Sequence, residues 1–268
     1  MRVAALFTYP IKSCYRNEQR KVTVEPWGLA GDRRWIVVDA GTMKQLTQRE
    51  LPELGRIVPT ETADGLRLAN TREGELDVPA PTDGPLLAVE IWRTRVLGRP
   101  AGAEADAYVS KVVGQDARLV YLDDPTRRPV DPMYAEEGDR VSFADGFPVL
   151  VTNTASLVAV NDWLAEDQEE PIVMNRFRPN LVVDGAPAWV EDGWLGCRLQ
   201  VGDVLFRAVK PCDRCVLTTV DPETGEKGRQ PLRILGKHRR FPEGLLFGIN
   251  LIPDNTGTIQ IDDPVRVI

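Results

Sequence analysis

Short runs of alternating apolar and polar residues, punctuated by Gly and Pro, dominate this chain, and that period predicts strands more often than helices. Seven such runs stand out: Val3 to Thr8, Arg34 to Asp39, Gly65 to Ala69, Leu87 to Ile91, Leu181 to Asp184, Val204 to Val209 and Gly257 to Ile261. An eighth, Val216 to Val220, is rich in β-branched residues and reads as strand as well. Asp221-Pro222-Glu223-Thr224-Gly225 follows it, with Pro at the second turn position and Gly where a positive φ is wanted, so the pattern predicts a hairpin. Helical spacing is rarer. It covers Ala105 to Val113, ending before Gly114, then Ser156 to Leu164, where Leu157, Val160 and Leu164 recur, and a shorter piece around Gln230 to Leu235. Asn153 or Thr154 can cap the second helix, and a helix N-terminus also attracts phosphate. The polar, turn-rich stretch Tyr121 to Asp139 marks a division near residue 120. The expectation is a β-rich α+β protein with a few short helices, in two units of residues 1–120 and 121–268.

Composition narrows the function classes. With 268 residues, 43% apolar and 27% charged, the chain is long enough for substantial cores. A net charge of -7 removes any general attraction for nucleic acid or anionic membrane, while leaving room for a local basic cleft that holds one phosphate. No apolar run approaches the length of a membrane span, and Val3 to Phe7 is too short for a secretory signal. Four cysteines without a disulfide framework fit a reducing compartment, so a cytoplasmic location is expected.

The chemistry concentrates in Lys210-Pro211-Cys212-Asp213-Arg214-Cys215, two thiols among three charges. Arg214 and Lys210 favour a thiolate at Cys215, the form that attacks electrophiles and binds soft metals. A zinc knuckle would need four ligands, and the other candidates are the isolated Cys14 and Cys197 and the single His238. A thioredoxin-like dithiol expects a helix to start at the pair, where the pattern predicts a strand. Two small residues filling a core is the third reading, and the intervening Asp213-Arg214 counts against it.

The stretch from Lys210 to Gly225 resembles the cofactor-ligating segment of MOSC-domain proteins, and within that group the mitochondrial amidoxime-reducing component and its bacterial relatives. Three more segments match in the same order: Tyr9-Pro10-Ile11-Lys12-Ser13-Cys14, Gly28-Leu29-Ala30-Gly31-Asp32-Arg33-Arg34-Trp35 and Arg176-Phe177-Arg178-Pro179-Asn180-Leu181-Val182-Val183. The similarity runs from about residue 3 to the C-terminus. It implies an N-terminal β-barrel-like domain followed by a MOSC β-barrel domain, with molybdenum-molybdopterin (Moco) between them.

On this resemblance Cys215 is the catalytic residue and the protein ligand to molybdenum. Lys12, Ser13, Arg33, Arg178 and Asn180 match positions that hold the pterin or its phosphate. Asp213 and Arg214 belong to the ligand turn, with Asp213 standing where a small hydroxyl residue is expected. Asn153 and Thr154 are further binders. Taken singly, each basic residue is adequately explained as a solvated or ion-paired charge, and the resemblance selects among them. If Arg33 to Val38 is a strand, Arg33 and Arg34 face opposite ways, which leaves Arg34 for solvent or a salt bridge. The implied activity is reduction of N-hydroxylated small molecules such as amidoximes and hydroxylamines. The sequence has neither a C-x4-C-x2-C iron–sulfur spacing nor a Gly-rich dinucleotide fingerprint. Electrons are therefore expected from a separate donor protein of the ferredoxin, flavodoxin or cytochrome b5 type. The alternative is a carrier that transfers molybdenum cofactor, or sulfur as a persulfide on Cys215.

Overall fold

The computed structural model describes residues 1–268. Strands hold 39% of them and there are three α-helices, the β-rich α+β plan expected. The largest sheet has nine strands. Its path runs Val265–Val267, Arg198–Val201, Val204–Asp213, Gly244–Pro253, Val149–Asn153, Leu181–Asp184, Arg2–Thr8 and Asn17–Gln19, with Arg240–Phe241 paired to Gly244–Pro253. One neighbouring pair, Val149–Asn153 with Leu181–Asp184, is parallel. A parallel pair needs a crossover, and helix α2 lies within it. We label the helices α1 (Ala103–Val113), α2 (Thr154–Glu166) and α3 (Leu232–His238).

The first thirty residues are woven into this sheet system rather than standing apart. Arg2–Thr8 pairs antiparallel with Leu181–Asp184, and Lys21–Glu25 pairs with Gly257–Gln260. Val3, Leu6, Val22, Val24 and Leu29 share one core with Val151, Phe206 and Leu251. Residues from Trp35 to Tyr121 build a second body from a four-stranded sheet, a three-stranded sheet and α1, around Trp35, Leu54, Leu68, Val109 and Leu119. Helix α1 stops at Gly114, left-handed at φ +74, which donates back to Ser110 O.

Several expectations shift. Val149–Asn153 and Gly244–Pro253 are central strands that alternation does not reveal, because Val149, Val151, Phe247, Ile249, Leu251 and Ile252 are all buried and such strands read as apolar runs. Val204–Asp213 runs four residues past Val209, with register breaks on either side of Lys210 and Pro211, where Pro211 has no N–H for the ladder. Val216–Thr219 is a 3₁₀ turn, not a strand. Thr218 Oγ1 donates to Cys215 O at 2.9 Å and Thr219 Oγ1 to Val216 O at 2.8 Å, so local side-chain bonds satisfy the carbonyls a partner strand would have taken. The hairpin beyond it reduces to a single bridge, Val220 with Lys227, around a turn in which Asp221 accepts from Glu223 N and Thr224 N. Helix α3 begins after Pro231, later than the pattern around Gln230, and Gln230 Oε1 accepts from Ile234 N in its first turn.

Candidate functional site

A cleft of about 440 Å³ opens where the two halves of the chain meet. Lys12, Ser13 and Arg33 come from the first half, Arg178 and Asn180 from the segment entering Leu181–Asp184, and Asp213, Arg214 and Cys215 from the end of the long strand. Eight of the ten candidate residues thus meet in one place.

Three of them have left-handed backbones: Ser13 at φ +67, Arg33 at φ +48 and Arg178 at φ +52. Such a conformation costs a non-glycine residue about 1–2 kcal/mol and persists where the surroundings enforce it. Here Arg33 N donates to Tyr9 O at 2.7 Å, and Arg178 ends the short turn Met174–Phe177 with its N–H on Asn175 O. Both guanidiniums then stack on the buried Tyr9 ring, at 4.3 Å for Arg33 and 4.1 Å for Arg178. Arg33 is not part of a strand, which starts at Trp35. Arg34 turns away as expected, but neither to solvent nor to an acid: it donates to the carbonyls of Leu122 and Asp123.

Behind the arginines lies a closed polar joint. Asp32, 2% exposed, accepts from Tyr9 N, Arg33 and Asn180. Asn180 donates to Phe7 O and Asp32 and accepts from Arg33 Nη1 and Leu150 N. Its amide capacity is therefore fully used inside the protein, so it holds Arg33 in place although it borders the cleft. Burial pushes the Asp32 carboxyl up, against the pull of Arg33.

Other cleft groups keep unused capacity. The Arg178 guanidinium makes no ion pair, and burial pushes it down to about 10. Arg214 Nε and Thr47 Oγ1 are buried without a hydrogen-bond partner. Burial also lowers Lys12, to about 8, although Asp145 pairs with it. Asp145 itself is held below the usual carboxylate range: burial works against this, but Lys12, Arg49 and the Trp92 indole N–H outweigh it. Six cationic side chains and two carboxylates border the cleft, a positive site in an acidic chain.

The cysteine turn differs from its expectation in one respect. Arg214 donates to Cys212 Sγ at 2.8 Å and to Phe177 O at 2.6 Å, so it engages the first thiol and not Cys215. Burial raises the Cys212 thiol, with Arg214 opposing. Cys215 is partly buried, its sulfur makes no hydrogen bond, and it borders the cleft at the head of the Val216–Thr219 turn. Gly244, at φ +133, passes so close that a Cβ there would lie 3.0 Å from Asp213 Cβ. Arg176 clamps the far side of the turn through Thr219 O and Asp221, and Tyr15 and Arg16 fasten Glu223 to the first half of the chain.

Asn153 and Thr154 stand apart from the other eight candidates, since neither borders the cleft. Asn153 caps α2 by accepting from Ala155 N, and its amide donates to Pro187 O and Glu191. Thr154 Oγ1 donates to Val183 O. Helix capping accounts for Asn153, and a bond to the neighbouring strand accounts for Thr154. Conversely, Thr47, Arg49, Trp92, Asp145, Lys210 and Asn250 border the cleft without having been selected. Ala144-Asp145-Gly146 carries a turn signal, but nothing local in the sequence says that this turn faces the thiols.

The MOSC N-terminal beta barrel domain matches residues 1–116 and the MOSC domain residues 138–266. This chain belongs to the MOSC family. Human mitochondrial amidoxime-reducing component 1 is 33% identical over 287 residues, covering 99% of this chain and 82% of that protein. Human mitochondrial amidoxime reducing component 2 is 32% identical over 284 residues, with 98% and 82% covered. The Xenopus laevis component 1 is 30% identical, again with 98% of this chain covered. This MOSC protein is thus related to the amidoxime-reducing components along its whole length, and no helix in it is long and apolar enough to cross a membrane.

Proposed function

We propose that this protein is a molybdenum-cofactor-dependent reductase of N-hydroxylated compounds. The observation that carries the reading is the uncommitted donor set of the cleft: a partnerless Arg178, an orphaned Arg214 Nε and an orphaned Thr47 hydroxyl beside a half-buried Cys215. Buried polar groups are normally satisfied, so a set left open around one concavity marks the place of a polar, anionic ligand. A molybdopterin fits it, with a phosphate, polar ring edges and a thiophilic metal.

In this reading Arg178, Lys12 and Ser13 hold the phosphate end, where the Arg fork and the Lys point charge complement each other. Arg33 lends charge while Asp32 and Asn180 fix its position. Arg214 and Asp213 shape the turn that presents Cys215, whose sulfur ligates the metal as thiolate. The cofactor supplies two-electron redox chemistry at nitrogen-bound oxygen. Overall, an amidoxime, two electrons and two protons give an amidine and water. Electrons arrive from a separate protein of the ferredoxin, flavodoxin or cytochrome b5 type. Lys12, paired with Asp145 and poised near 8, is the group of the cleft wall that exchanges a proton, while Asp145 stays ionised beside it. The same reading takes residues 1–120 as the N-terminal barrel unit and 121–268 as the MOSC unit, with the cofactor between them.

The test begins with protein made in a host that synthesises molybdenum cofactor. Molybdenum and released pterin are measured per chain for wild type and Cys215→Ala, followed by benzamidoxime turnover with a reduced viologen dye. Near-stoichiometric metal and pterin, metal loss in the variant and turnover by wild type are expected. Loading without turnover, or a Cys215 mass increase of one sulfur, would replace this reading with cofactor or sulfur transfer.

A further inference from the structure

Besides Arg178, and Arg214 whose guanidinium is taken up by Cys212 Sγ and Phe177 O, one cation bordering the cleft has no acid partner. Lys210 lies on the long strand two residues before Cys212, and its backbone carbonyl accepts from Asn250 Nδ2 at 3.2 Å. Its ammonium stands 5.1 Å from the Tyr134 ring centre and 5.9 Å from that of Phe147, and no carboxylate lies within ion-pair distance. The two rings meet edge to face at 5.6 Å. The remaining cations are engaged: Arg33 with Asp32, Lys12 and Arg49 with Asp145, and Arg214 with Phe177 O.

Arg178 and Lys210 therefore head two separate groups. Arg178 shares Tyr9 with Arg33. Lys210 shares neither ring nor hydrogen-bond partner with them. Molybdopterin presents a single phosphate, which the proposed function gives to Arg178, Lys12 and Ser13, so the positive charge at Lys210 is left for something else entering the cleft. Phe147 stands beside Lys210 and borders the cavity, and Trp92, 43% exposed with Arg49 over its ring, borders the same cavity. A ring packs on aromatic faces at little cost in conformational freedom, and a charge on that ring reaches an ammonium held over aromatic faces.

We propose that Lys210 is a specificity residue that selects aromatic N-hydroxylated substrates bearing a carboxylate or similar anionic group. This rests on the reductase reading and names the substrate class of the same site. The pairing is made equally by the resting and reacting substrate, so it acts on KM and leaves kcat nearly level.

The experiment compares 4-carboxybenzamidoxime with neutral benzamidoxime on cofactor-loaded wild type, Lys210→Met and Lys210→Arg. It records kcat, KM, the dissociation constant of each compound by calorimetry, and molybdenum and pterin per chain. Wild type is expected to prefer the carboxylate about tenfold in kcat/KM and in affinity, the order of one charge-assisted hydrogen bond in a partly desolvated site. Lys210→Met should bring that ratio close to one through KM, and Lys210→Arg should keep most of it. An unchanged ratio in Lys210→Met overturns the proposal, as does loss of pterin in that variant, which would make Lys210 a cofactor ligand. If the loaded protein binds the carboxylate selectively but turns over neither compound, the reductase reading fails and the selectivity of Lys210 stands. If it reduces both without preference, the reverse holds.

Discussion

Two sets of residues at the cleft spend their polar groups differently. Asp32, Asn180 and Arg33 form a closed set in which Asn180 makes four hydrogen bonds to the protein. In the other set Arg178, stacked on the same Tyr9 ring as Arg33, has no ion-pair partner, Arg214 Nε is orphaned, and the Cys215 sulfur makes no hydrogen bond. Both sets are rich in charge and border the same space. The closed one works as a joint, since it ties Phe7, Tyr9, Asp32 and Leu150 across the junction of the two halves. The open one keeps hydrogen-bonding capacity that no protein group uses. Identity and position alone do not separate the two roles; satisfaction does.

The sharpest way to break that contrast is Asp32→Ala. It would leave Arg33 buried beside Tyr9 without its counter-ion, and removing one partner of a buried pair costs about 3–5 kcal/mol. Urea denaturation should show that loss even in cofactor-free protein, and a loss below about 1 kcal/mol would refute the joint. Arg178→Ala should do the opposite. With no internal acid to strand, it should cost cofactor-free stability about 1 kcal/mol or less, the order of its stack on Tyr9, while lowering pterin retention about tenfold, the order of one charge-assisted contact. Asn153→Ala should cost about 1 kcal/mol through the lost cap of α2, with molybdenum and pterin per chain unaltered. A fall in either would return Asn153 to the binding set.

The smallest effect is a pH dependence. Lys12 sits at about 8 in the folded protein against 10.5 for the free side chain, so its charged form is disfavoured by folding. Its contribution to stability therefore rises between about 8 and 10.5, where the unfolded chain holds a proton that the folded one has released. Over the same rise in pH the empty cleft loses a positive charge. Inorganic pyrophosphate should bind cofactor-free protein a few-fold more weakly at pH 9 than at pH 7, by titration calorimetry. Lys12→Arg should flatten that dependence, and an equal slope in both proteins would show that Lys12 does not face the anion.

Much of the fold was legible where one face of a strand is wet. Leu87–Ile91 matches its predicted bounds, as does Leu181–Asp184 although it is buried on both faces, and α1 stops at the predicted Gly114. Gly244–Pro253 escaped because it is covered on both faces and its sequence loses the period of two. Val216–Thr219 was misread because β-branched residues also suit a tight turn once Thr hydroxyls cap its carbonyls. At the site, the basic and thiol residues were found through ordered motifs. Asp145 and Thr47 were not, since each lies in a stretch whose neighbours give no hint of what it faces, and Lys210 was read only as a charge near Cys215 in sequence.

By itself the sequence determined the class of the protein, its β-rich plan, the cysteine pair and the acidic balance, because these depend on residue type and short-range period. The tertiary structure alone decided that Arg214 serves Cys212, that Asn180 is spent inside a joint, that Asn153 caps a helix away from the cleft, and that Arg178 and Lys210 are left without acids. Whether Asn180 is satisfied depends on Phe7 and Asp32, more than a hundred residues away, and their approach is set by how strands from both ends of the chain pair in one sheet.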